Sequence, residues 1–106
     1  MALVHINREK LGAPGDFMTL NKRNLELVLN ELTHSELRLY LFLVSNRDGY
    51  TMPFSKQLIQ NRIGLSKNGF YLARDGLIKK GFLVFNLTGE EYFFYEQSLQ
   101  NNIGDI

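Results

Sequence analysis

Apolar residues in the middle of this chain recur at three- and four-residue spacing, whereas toward the C-terminus they bunch into two short aromatic runs. The first pattern predicts amphipathic helices and the second predicts strands. Leu25, Leu27, Val28, Leu29 and Leu32 follow Asn21, a residue suited to start a helix. Thr33, His34, Ser35 and Glu36 then fit a capping box, in which the threonine hydroxyl and the glutamate carboxylate each satisfy a backbone N–H. Leu37, Tyr40, Leu41 and Val44 continue that helix, and Asp48-Gly49 is expected to end it. Tyr50 to Phe54 reads as an extended connector with room for a small strand.

Ser55 is the next expected cap, for a helix that buries Leu58, Ile59 and Ile63. Gly64 makes a turn, and Ser66 caps a further helix whose Phe70, Ala73 and Leu77 share one face. Gly81 stops that helix. Phe82 to Phe85 and Tyr92 to Tyr95 then predict a hairpin around Thr88-Gly89-Glu90. The fold class expected is mainly α with a small β-hairpin (α+β), a three-helix core plus a wing. Its domain spans residues 17–96. Residues 1–16 are expected to form an arm, or a short strand with a loop; Phe17 to Leu20 reads as a brief strand. Residues 97–106 read as a frayed tail or short terminal helix.

Charge sharpens this picture. The net charge is only +1, yet from Ser55 to Phe82 six basic residues face a single acidic one, Asp75. Such segregation suits a surface that meets phosphates, although a solvated helix face has the same composition. Taking about 100° per residue, Lys67, Asn68, Tyr71 and Asp75 are expected opposite the buried face, with Arg74 on the flank. Lys67 and Asn68 lie in the first turn, where a helix-turn-helix concentrates its major-groove contacts. Asn68 suits adenine, and Lys67 suits guanine or a phosphate. Tyr71 and Arg74 extend the candidate surface, with Lys56 and Lys79 as phosphate contacts. Plainer alternatives are Tyr71 covering the wing, Arg74 pairing with Asp75 or with a glutamate of another helix, and Lys79 and Lys80 complementing the helix dipole.

Other chemistries are disfavoured. The absence of cysteine rules out disulfides and thiolate metal sites, and fits a reducing cytoplasm. His5 and His34 stand far apart, so no metal or cofactor is expected. No phosphate-binding glycine loop or nucleophile–base spacing suggests an enzyme. No apolar run approaches the length of a membrane span, and no signal-peptide pattern opens the chain. Glu90 and Glu91 at the hairpin tip would repel phosphate, which points that wing toward a structural or protein-binding role.

The run from Leu65 to Leu83 resembles the helix-turn-helix signature of bacterial winged-helix proteins, above all the N-terminal domains of plasmid and phage replication initiators. Thr33 to Leu43, then Asp48-Gly49-Tyr50, is similar to the first helix and turn of those domains. The resemblance covers roughly residues 17 to 96. It implies a cytoplasmic domain that binds double-stranded origin or operator DNA, frequently as a homodimer, in replication initiation or transcriptional control. It puts Lys67, Asn68, Tyr71 and Arg74 on a recognition helix and Lys56 at the start of the preceding one. Gly69, Gly76 and the acidic wing tip depart from the pattern. The chain does not carry an initiator's large second domain, which leaves an excised domain or a stand-alone protein open. The alternative is a winged-helix protein-interaction module, a replication-complex adaptor or anti-repressor without strong DNA binding.

Overall fold

Four helices begin where a short polar side chain can accept a backbone hydrogen bond. In the computed structural model, which describes residues 2–8, 20–46, 48–87 and 90–99, Asn21 caps α1 (Lys22–Glu31) and Thr33 caps α2 (His34–Val44). Ser55 and Ser66 do the same for α3 (Lys56–Ile63) and α4 (Lys67–Lys79). The capping box on α2 is complete, with Thr33 N donating to the Glu36 carboxylate at 2.9 Å. Strands β1 (Leu3–Asn7), β2 (Thr51–Pro53), β3 (Leu83–Asn86) and β4 (Glu91–Tyr95) form one sheet in the order β2-β1-β4-β3. Among the described residues the protein is a small α+β domain with four helices and a four-stranded mixed sheet.

Three sequence expectations change. Residues 3–7, expected in an arm or short strand, form a central strand antiparallel to β2 and parallel to β4. The alternation of Leu3, Val4, His5, Ile6 and Asn7 is the reason: Val4 and Ile6 are buried while Asn7 is exposed. The expected hairpin is therefore half of a larger sheet, and the folded unit reaches back beyond residue 17.

The second change is the end of α2, which comes at Val44 rather than at Asp48-Gly49. Ser45 Oγ donates to Phe42 O, and the Asn46 amide donates to Phe42 O and Leu43 O, so side chains satisfy the last carbonyls early. Gly49 instead adopts a positive φ in the following turn, where its N–H reaches Ile6 O and delivers β2 to β1.

Third, the start of the expected tail is fastened to the domain. Ser98 is buried and its hydroxyl donates to Lys80 O, while Leu99 N donates to Gly81 O. Leu20 belongs to neither helix nor strand, and the rest of the strand expected at 17–20 lies outside the described residues, as does the tail from 100 onward.

The core lies between the helices and one face of the sheet. Tyr40 meets Phe82 and Phe94 edge-on, and Phe54 does the same with Phe70 and Tyr92. One end of this core is polar. Arg8 Nε donates to Glu96 Oε1 at 3.2 Å, with the two side chains only 6% and 2% exposed. Asn24 Nδ2 donates to Tyr40 Oη at 2.7 Å and to Glu96 O at 2.8 Å, and Tyr40 Oη donates to Glu96 O.

Burial, reinforced by the Glu96 charge, pushes the Tyr40 phenol well above its ordinary value near 10. In the unfolded chain the phenol ionises near its ordinary value, whereas in the folded protein it keeps its proton. Its contribution is therefore complete below pH 10 and is lost as the pH rises further. Above pH 10 the unfolding free energy should fall by up to about 1.4 kcal/mol per pH unit on this account. Urea unfolding between pH 9 and 11.5 measures that slope, and Tyr40→Phe should lack it.

Candidate nucleic-acid interface

Three residues join α3 to α4, and each has a physical task. Gly64 takes a left-handed conformation, with φ 74°, that ends α3. Leu65 is buried, and the Ser66 hydroxyl accepts from Gly69 N to start α4. The Arg38 guanidinium on α2 donates to Ile63 O, which holds the turn against the rest of the helical layer. Phe70, Ala73 and Leu77 bury the back of α4, as the sequence spacing predicted.

Gly76 sits where α4 passes closest to Glu36. A Cβ built at this position would overlap the Glu36 carboxylate. That carboxylate is itself fixed: Oε1 accepts from Thr33 N and from Lys80 Nζ, the latter at 2.5 Å. Lys80 Nζ also donates to Glu31 O. Lys80, read from sequence as a dipole complement, thus ties α4 to α2. Gly76 permits the close approach; it is not a gratuitous weak point of the helix.

The exposed face of α4 runs through Asn68, Leu72, Asp75 and Lys79, spaced four, three and four residues apart, with Lys67 exposed in the first turn. Lys56 is exposed at the first position of α3. Asn68 and Lys79 therefore share the front of α4, and Lys67 is exposed in its first turn about 100° round the helix from Asn68. Tyr71 and Arg74 do not stand on that front. Tyr71 is half-buried beside Phe70, and the Arg74 guanidinium lies 4.9 Å over the Tyr71 ring. Arg74 Nε donates to Asp75 Oδ1 at 2.9 Å, the pairing that the plainer sequence alternative described. Burial works against the Arg74 charge, but Asp75 and Tyr92 outweigh it and hold its pKa above the ordinary guanidinium value.

Sequence reasoning missed Leu72, which is 69% exposed in the middle of this front. The signal was available. The point of the helix diametrically opposite the mean direction of Phe70, Ala73 and Leu77 falls among Asn68, Leu72, Asp75 and Lys79.

The hairpin tip is less acidic than expected. Glu91 turns onto the outer sheet face, where its Oε1 lies 3.2 Å from His5 Nε2, and His5 Nδ1 lies 2.9 Å from Thr51 Oγ1. Phe93 stacks on the imidazole. Hydroxyl, imidazole and carboxylate thus form a fastener across β2, β1 and β4, a role the separation of the histidines in sequence did not suggest. Glu90 and Leu87 are both exposed, while residues 88 and 89 lie outside the described residues.

A depression of about 390 Å³ beside Arg8, Asp48, Tyr95 and Glu96 is lined by the polar cluster that closes the core. Among the described residues, no three His, Asp or Glu are gathered closely enough to hold a metal ion. No helix among them is long and apolar enough to cross a membrane. Comparison with protein-family models, curated proteins and solved structures gave no match.

Proposed function

We propose that this domain is a winged helix-turn-helix that binds duplex DNA in a sequence-specific manner. In this reading α3 and α4 are the helix-turn-helix, α4 enters the major groove, and β3 with β4 forms the wing. The observation that carries it is the opening of α4. Lys67 and Asn68 are exposed in the first turn of a helix whose back is fully buried and whose approach is set by a three-residue turn. A side chain of each type at that position suits base edges and phosphates.

Lys56 and Lys79 supply further phosphate charge, while Arg74 and Tyr71 act one step removed, bracing Asp75 and the flank of α4. Replication initiation or transcriptional control, with the domain acting as a homodimer, is the setting we propose. The N-terminal strand between β2 and β4 adds a staple to the wing, since β4 is paired on both sides.

Asn68→Ala should weaken binding to a selected duplex about tenfold and relax preference at one base pair. Lys67→Ala should weaken binding to all sequences more evenly and lower the salt dependence by about one charge. Fluorescence anisotropy on duplexes selected from a random pool reads both effects. Unchanged affinity in both variants would remove α4 as the reading head.

A second reading draws on the net charge of +1 and on Leu87, 83% exposed at the hairpin. In it the domain binds another protein, and its DNA affinity is negligible at every salt concentration.

A further inference from the structure

We infer that Leu72 is a specificity-determining residue that contacts the 5-methyl group of a thymine, so that the site recognised by α4 pairs an Asn68-read adenine with a nearby thymine. This inference rests on the duplex-DNA reading above and deepens it. Leu72 is the most exposed large apolar side chain on any helix of the described residues. It occupies the middle of the α4 front, and its neighbours there, Asn68, Asp75 and Lys79, are all polar. Along the α4 front the apolar exposure is confined to this one residue, far less than the contiguous patch of hundreds of Å² that a protein docking surface presents. A single methyl group fits that one residue.

In the major groove the thymine methyl is the apolar feature by which T·A differs from the other base pairs. Positions 68 and 72 are one helical turn apart, about 6 Å along the axis. That separation is close to two base-pair steps at about 3.4 Å each. Asn68 and Leu72 therefore address base pairs about two steps apart from one face of α4. Lys67 before them and Lys79 after them flank this pair with positive charge suited to the phosphate backbone. Asp75 does not compete for the same contact, because its carboxylate is bridged to Arg74.

The test uses the whole chain and a duplex selected from a random pool. Each thymine of that duplex is replaced in turn by deoxyuridine, which removes only the methyl group. One or two positions should lose roughly fourfold in affinity for the unaltered protein, the effect of one buried methyl-sized group. Leu72→Ala should bind the thymine duplex more weakly by a similar factor and show no further loss with deoxyuridine at that position. Because Leu72 is exposed, this variant retains its fold, which circular dichroism checks. If selection enriches a site but deoxyuridine has no effect, or if Leu72→Ala keeps the full deoxyuridine sensitivity, the Leu72 assignment is overturned while DNA binding stands. If no duplex is enriched, both are overturned together.

Discussion

Glu96→Ala should lower the unfolding free energy by about 3–5 kcal/mol, the usual consequence of removing one partner from a buried ion pair. The reason is the Arg8 guanidinium. It is 6% exposed and donates to a carboxylate that is 2% exposed. Arg8 also donates to Asn46 O, so it is anchored in place and cannot simply swing into water when its counter-charge is lost. Glu96→Gln keeps an acceptor oxygen at nearly the same place and should lose less than the alanine variant. Asn24 and Tyr40 bond to the Glu96 backbone oxygen, which both variants retain. Their contribution stays constant, so the comparison isolates the side chain.

Domains of this size have a total stability of about 5–15 kcal/mol, and the alanine variant therefore approaches the threshold of folding. Urea denaturation followed by circular dichroism measures the loss. A loss below about 1 kcal/mol would mean that the pair behaves as a solvated surface bridge.

Gly76→Ala is the second large effect, and its sign is opposite to helix propensity. Alanine in an exposed helix interior stabilises by about 1 kcal/mol relative to glycine. Here the new methyl group overlaps Glu36, which cannot move without breaking the capping box and releasing Lys80. The expected net result is destabilisation by about 1–3 kcal/mol, the range for overpacking. In a Glu36→Ala background the obstruction is gone, and Gly76→Ala should become neutral or stabilising. The interaction between the two substitutions, read from a double-mutant cycle, should then be at least about 1 kcal/mol. Strict additivity would contradict a direct contact between Glu36 and position 76.

These two sites also mark where the sequence could and could not be read. Asn21, Thr33, Ser55 and Ser66 announce their helices because a cap is a local event, complete within four residues. Gly64 and Gly81 have positive φ and stop their helices for equally local reasons. Strand β1 was obscure because five residues of alternating burial are a weak signal, and their partners are distant in the chain. The Arg8–Glu96 pair joins positions 88 residues apart, so no spacing rule reaches it.

At the candidate interface, the exposure of Lys67 and Asn68 was legible because no core role was open to residues of their type. Arg74 was not, because a cation one residue before Asp75 can face either the carboxylate or a partner, and only three-dimensional packing decides. Leu72 was overlooked for the converse reason. An apolar residue on an amphipathic helix is assigned to the core by default, and its direction emerges only when the whole wheel is drawn.

The central claim is that the lysine- and asparagine-bearing start of α4 engages duplex DNA, and a salt titration on a selected duplex tests it most directly. The account predicts a straight line of negative slope for log affinity against log salt, reflecting counterions released by Lys56, Lys67 and Lys79. The slope should be shallower, and the affinity lower, in the Lys67→Ala, Asn68→Ala double variant. A flat line for the unaltered protein, or identical lines for the two proteins, would contradict it.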